Sequence, residues 1–213
     1  MLYMLSLILG KSLALGIGAY CYKYLSQAYK LIMLQVAIAL LAECYGRYLG
    51  LKGQHNAWVF NLQNLADLLL TGWAAKLLTG KPINKVIPFL LLLFTGLWAV
   101  NIYVDGFYQL AAWFFVSSCI LLVLLYIAVL FNKSLFSNKR ILEEPATWLA
   151  ISVILYFGCS VPYFGLYHYL ISNFSVTARN LWAINMWLDV LRCPLIAVCF
   201  LTAAKQQKQL RTA

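Results

Sequence analysis

The chain has 213 residues, 64% of them apolar and only 10% charged, against about 45–50% and about 25% in soluble domains. A soluble fold built from this composition would lack polar surface. The formal net charge of +10 does not mark a nucleic-acid binder, because the basic residues sit singly or in small groups between long apolar runs and form no patch with base-stacking aromatics.

A membrane span needs about 20 largely apolar residues. In chain order seven are predicted, at 2–20, 31–49, 57–78, 86–104, 108–131, 146–171 and 178–204, which makes residues 1–213 a single all-α transmembrane domain. The first run has no basic region before it and no A-x-A site after it, so it reads as a span and not as a cleaved signal. The longest connection, 132–145, introduces the sixth span, with Glu143 and Glu144 at the positive end of the helix and Pro145 suited to its first turn. Pro162 and Pro194 fall inside the sixth and seventh spans and should bend them. Gly46 and Gly50 form G-x-x-x-G on the second, a spacing that permits close helix packing.

Orientation follows from the basic residues. With the N-terminus outside, the cytoplasmic face receives Lys23, Lys30, Lys76, Lys81, Lys85, Lys133, Lys139, Arg140, Lys205, Lys208 and Arg211, whereas the outer face receives Arg47, Lys52 and Arg179. That asymmetry is the positive-inside pattern and places the C-terminus in the cytoplasm. The tail from Lys205 to Arg211 is basic, compatible with a helix, and suited to anionic lipid. Tyrosines and tryptophans, 14 and seven in number, fit interfacial belts. Near the outer end of the sixth span His168 sits among Tyr163, Tyr167 and Tyr169, where an interfacial histidine with no special role is the simpler reading and external pH sensing the alternative.

Charge inside a bilayer is expensive, so the ionisable residues within spans are the functional candidates. They are Lys11, Glu43, Asp67, Asp189 and Arg192. At about 1.5 Å per residue, all but Glu43 lie roughly 14–21 Å from the outer ends of their spans, and the depth of Glu43 is compatible with the same layer. Asn61, Asn64 and Asp67 form one stripe of the third helix, and Asn185, Asp189 and Arg192 one stripe of the seventh. The expected site is therefore a mid-membrane polar network of Lys11, Glu43, Asn61, Asn64, Asp67, Asn185, Asp189 and Arg192. In it Asp189 could pair with Arg192 along its own helix, and Lys11 is the natural partner for Glu43 and Asp67. A network of this kind serves equally well to hold helices in register, at about 0.6 kcal/mol per interhelical pair.

No cofactor and no metal site is expected. The six cysteines include no C-x-x-C, and two histidines cannot complete a zinc set. The last span has no lysine for a retinal Schiff base. The acidic-Arg-Tyr and N-P-x-x-Y signatures of G-protein-coupled receptors are missing. So are the histidine sets of ceramidase-type hydrolases, the Gly-x-Ser nucleophile of intramembrane proteases, and the deep histidines that accompany paired glutamates in prenyl-protein proteases. An enzyme is unsupported.

The segments 56–64 (NAWVFNLQN), 144–158 (EPATWLAISVILYFG) and 181–192 (LWAINMWLDVLR) resemble a group of small, mostly uncharacterised bacterial seven-helix membrane proteins. The resemblance implies a bacterial inner-membrane location and a sensory role beside signalling proteins, and it carries over no catalytic residue. Three functions stay open. The first is a sensor or receptor-like module that binds a small or lipidic signal and acts through a separate cytoplasmic signalling protein. The others are a small secondary transporter and a membrane scaffold. The lipid bilayer is an expected partner, nucleic acid is not, and the oligomeric state is undetermined. A fluorescent protein fused after Ala213 should fold and fluoresce, while a tag before Met1 should react with antibody added to intact spheroplasts; both ends in one compartment would overturn the orientation.

Overall fold

The computed structural model describes residues 2–79, 85–136, 141–166, 169–170 and 173–212. Among these the chain forms seven long α-helices and no strand. They are α1 Leu2–Cys21, α2 Gln27–Leu51, α3 Ala57–Leu78, α4 Val86–Asp105, α5 Ala112–Phe136, α6 Pro145–Gly165 and α7 Ser175–Thr212. Lys81, Lys139, Arg140, Tyr167 and His168 lie outside the described residues.

Helix ends depart from the apolar runs where the backbone follows hydrogen bonding and not hydropathy. α2 begins four residues before position 31, directly after Ser26, whose backbone is extended; its first turn contains Gln27 and Lys30, which are helix formers without being lipid-soluble. Proline opens α6 at its first position, where its missing N–H costs nothing. α5 starts at Ala112 and not at 108, because Gly106 ends α4 at φ 88° and the segment 107–111 is held as a turn. Asn61 holds it: its Nδ2 donates to Phe107 O and Gln109 O at 3.3 and 2.7 Å, and its Oδ1 accepts from Ala111 N at 3.0 Å. α6 stops at Gly165, six residues before the predicted end, one turn beyond Pro162. α7 runs well past Ala204. With 38 residues it measures about 57 Å, nearly twice the roughly 30 Å of a hydrocarbon core.

Six helices close into a ring, α1–α2–α3–α5–α6–α7 and back to α1, and α4 packs on its outside against α3 and α5. Only Ile87 and Leu91 of α4 are buried. Apolar side chains cover the perimeter, among them Leu13, Phe89, Leu92, Trp113 and Phe131, as lipid contact requires. Every helix except α3 has a segment long and apolar enough to cross a membrane. α3 falls short because Asn61, Gln63, Asn64 and Asp67 lie on it, yet with 22 residues it matches its neighbours in length and is packed against three of them. At the end of the bundle carrying the α1–α2 turn, lysines cover rings at the rim: Lys30 over Tyr22, Lys76 over Trp73 and Lys208 over Tyr24, at 3.9–4.8 Å.

The two halves of the ring differ. Towards the α1–α2 turn the interior is dry and dense, built from Tyr29, Ile32, Leu68, Tyr126, Leu149, Ile196 and Phe200. Tyr126 is fully buried and donates its hydroxyl to Thr71 O at 3.2 Å. Gly18 permits this closure: a Cβ there would stand 3.0 Å from both Met33 of α2 and Phe200 of α7. Gly46, the first glycine of the G-x-x-x-G, faces the ring of Phe60 on α3 at 2.9 Å by the same measure, and Asn56 Nδ2 donates to its carbonyl at 3.1 Å. Gly96 of α4 is exposed with no neighbour within 4 Å of such a Cβ. Gly18→Val should therefore destabilise the bundle by about 1–3 kcal/mol through overpacking, lowering its melting temperature in detergent, while Gly96→Ala should leave that temperature unchanged.

Candidate functional site

The polar residues of α1, α2, α3, α6 and α7 meet inside the ring. Lys11 of α1 is buried, and its Nζ lies 2.9 Å from Asp189 Oδ2 on α7 and 3.7 Å from Glu43 Oε1 on α2. Asp189 is thus taken by Lys11 and not by Arg192 of its own helix. The i, i+3 spacing puts both on one stripe, but Arg192 points a turn deeper, where Gln35 waits. Arg192 donates to Gln35 Oε1 at 3.2 Å, and Gln35 Nε2 donates to Asp67 Oδ1 at 2.7 Å. A neutral amide thereby bridges a buried guanidinium and a buried carboxylate. The guanidinium also stands 5.0 Å from the ring centres of Tyr156 and Phe157 on α6, a cation–π geometry that compensates lost hydration.

Of the eight residues singled out in the sequence, five fall into two neighbouring groups: Lys11 with Glu43 and Asp189, and Arg192 with Asp67 through Gln35. Asn185 lies one turn above Asp189 on the same stripe and accepts a hydrogen bond from Ser160 Oγ at 2.7 Å. Asn64 is half-buried at the edge of the same interior space. Asn61 stands apart from the charges and organises the α4–α5 turn described above. Gln35, Tyr156 and Ser160 were not singled out. Gln35 had a usable signal: it sits eight residues before Glu43 on the same helix, hence close to the same face. For Tyr156 and Ser160 no spacing distinguishes them from other residues of an apolar helix.

Above the ion pair, away from the dense half, a cavity of about 230 Å³ opens. Its floor is Glu43, Asp189 and Asn185; its walls are Phe60, Gln63, Asn64, Phe115, Tyr156, Phe164, Trp182 and Met186; Asn56, Ala57 and Leu110 stand at its mouth. Phe115 and Phe164 pack edge to face at 4.3 Å, so the aromatic wall is pre-formed. Below the ion pair lies a second void of about 10 Å³, lined by Lys11, Gln35, Arg192 and Ile196 among others, room for one water at most. Tyr156, Gln63 and Asp189 line both spaces. Among the described residues no group of three His, Cys, Asp or Glu side chains is placed to hold a metal ion, and the cysteines are free.

No family model matches the chain, and no curated protein and no solved structure matches it. Its class rests on its own architecture: among the described residues, seven long helices, six of them apolar enough to span a bilayer, with exposed apolar perimeters and an interior polar layer, are those of a multi-pass helical membrane protein.

Removing one member of the buried pair strands the other, at about 3–5 kcal/mol, whereas an apolar replacement of both is far milder. Lys11→Met and Asp189→Leu should each destabilise the protein strongly, and the double variant should lose less than the sum of the two, the remainder reflecting Glu43 left without Lys11. A double-mutant cycle on thermal unfolding in detergent checks this; additive losses would mean the two side chains do not act as a pair.

Proposed function

We propose that the chain is a sensor or receptor-like module of the bacterial inner membrane, with seven spans, its N-terminus outside and its C-terminus in the cytoplasm. It binds a small amphiphilic signal in the polar layer and acts through a separate cytoplasmic signalling protein. The observation that carries this reading is the cavity floored by Glu43, Asn185 and Asp189. Its mouth, between the starts of α3 and α5 and the first turns of α7, lies at the end of the bundle with few basic residues, which the positive-inside bias assigns to the outer face. The core of the opposite half is densely packed. A concave, mostly apolar pocket with a few convergent polar groups is the usual form of a small-molecule site.

α7 supports the second half of the reading. It supplies Asn185 and Asp189 to the cavity and Arg192 to the network beneath it, and it continues as one helix through Lys205 and Lys208 at the opposite rim. A ligand that moves Asp189 away from Lys11 would shift a helix whose far end reaches the cytoplasmic side. Pro194 lies two residues below Arg192, where a missing backbone hydrogen bond makes the helix easiest to bend. The second reading, a small secondary transporter, draws on the water-sized void below the ion pair. In that case the Lys11–Asp189 pair is a partition between two compartments.

Met186 is buried and lines the cavity; tryptophan in its place would fill much of the space. Protein purified in mild detergent should co-purify with a cytoplasmic signalling protein, and Met186→Trp should make the output of that partner unresponsive while leaving its recovery intact. Repeated failure to recover any signalling partner would overturn the sensor reading, and solute uptake into proteoliposomes that Met186→Trp abolishes would establish the transporter.

A further inference from the structure

The proposed binding site has a charge sign. Glu43, Asp67 and Asp189 bring three carboxylates into the interior, and Lys11 and Arg192 bring two cations. Lys11 is shared between Glu43 and Asp189 at 3.7 and 2.9 Å, so one cation serves two anions at the cavity floor. The second cation donates from one Nη to Gln35 and reaches Asp67 through it, while its Nε is buried without a partner beside the lower void and away from the cavity lining. Counted as ionised groups these five carry one negative charge in excess, and the carboxylates lie towards the cavity: Glu43 and Asp189 line it, while Lys11 and Arg192 line only the void beneath. Glu43 is the looser of the pair, with 21% of its side chain exposed. Arg47, one turn further along α2, is not part of the lining.

A second feature points the same way. Gln63 Oε1 is shut off from solvent and accepts no hydrogen bond, although Gln63 lines the cavity. A buried acceptor without a donor costs about 1–3 kcal/mol, and a ligand N–H would satisfy it. The walls add the rings of Trp182, Phe115, Phe164 and Tyr156, and aromatic faces attract organic cations once water is removed.

Building on the binding role given above, we propose that the cavity takes a small organic ammonium ion carrying an aromatic or aliphatic group. Its ammonium lies between Glu43, Asp189 and Gln63 Oε1, and its apolar part lies against the aromatic wall. A volume of about 230 Å³ equals roughly eight waters at their liquid volume of about 30 Å³ each, which suits a ligand of about that many heavy atoms. The ligand neutralises the surplus charge and competes with Lys11 for the two carboxylates. Lys11 is thereby released from part of its hold on α7, which couples occupancy to the helix that carries the site.

Three phenyl-bearing probes of similar size and different charge test this: 2-phenylethylammonium, 2-phenylethanol and phenylacetate, titrated calorimetrically into the full chain in nanodiscs of zwitterionic lipid. The ammonium should bind at least tenfold more tightly than the alcohol, the carboxylate should not bind measurably, and Glu43→Gln should weaken the ammonium tenfold or more. The comparison among probes on the unaltered protein needs no variant, so it stands even if Glu43→Gln fails to fold. Equal or tighter binding of the alcohol or the carboxylate would overturn the ammonium assignment while leaving the cavity a binding site. Absence of binding by all three would overturn it as well, and the sensor reading would then be decided separately by recovery of a signalling partner and its response to Met186→Trp.

Discussion

The contact on which this bundle depends is the buried ion pair between Lys11 of α1 and Asp189 of α7. These helices are the first and last of the chain, and their packing closes the ring. Neither charge is tolerable alone in an apolar interior, because removing a charged group from water costs several kcal/mol per ion even after relaxation. Each helix can therefore take only the rotation and depth that bring the two together, and Glu43, which reaches the same ammonium, ties α2 to the same point. An apolar contact between these helices would tolerate a slip of one turn. This one does not, and that is how a few polar residues set the register of a bundle whose remaining contacts are nearly interchangeable.

From that point the interior divides by what each half can bury. On one side, small residues and aromatics interlock until Tyr126 has only a backbone carbonyl left to meet. On the other, Phe115, Phe164 and Trp182 hold the helices apart around polar groups that cannot be packed against hydrocarbon without partners. The cavity is a consequence of chemistry at its floor: carboxylates and amides cannot be covered by leucine, so the space above them stays open. α7 crosses both halves without interruption, which makes it the element through which a change at the polar layer could be felt at the far end of the molecule.

The class of the protein was legible in composition, and so was most of its layout. Seven helical runs, the opening of α6 at Pro145, and the turning of Lys11, Asp67, Asp189 and Arg192 into the bundle interior follow from period, depth and the cost of isolated charge. The helix ends were less legible. The turn at 107–111 reads as apolar sequence and could as well have been the start of α5. It is a turn because Asn61, some 50 residues away in the chain, supplies the hydrogen bonds that a helix would otherwise have supplied.

Partnership within the polar layer was beyond the sequence for a physical reason. Spacing along one helix tells which side chains share a face, and it placed Asp189 beside Arg192. It does not tell which neighbouring helix that face meets, or how far that helix has slid along its axis. Only the packed ring decided that Asp189 turns to Lys11, that Arg192 reaches Asp67 through Gln35, and that Asn61 serves a loop. The sequence by itself determined that charges were buried and roughly how deep. The tertiary structure decided who meets whom, and left a cavity where the meeting is incomplete.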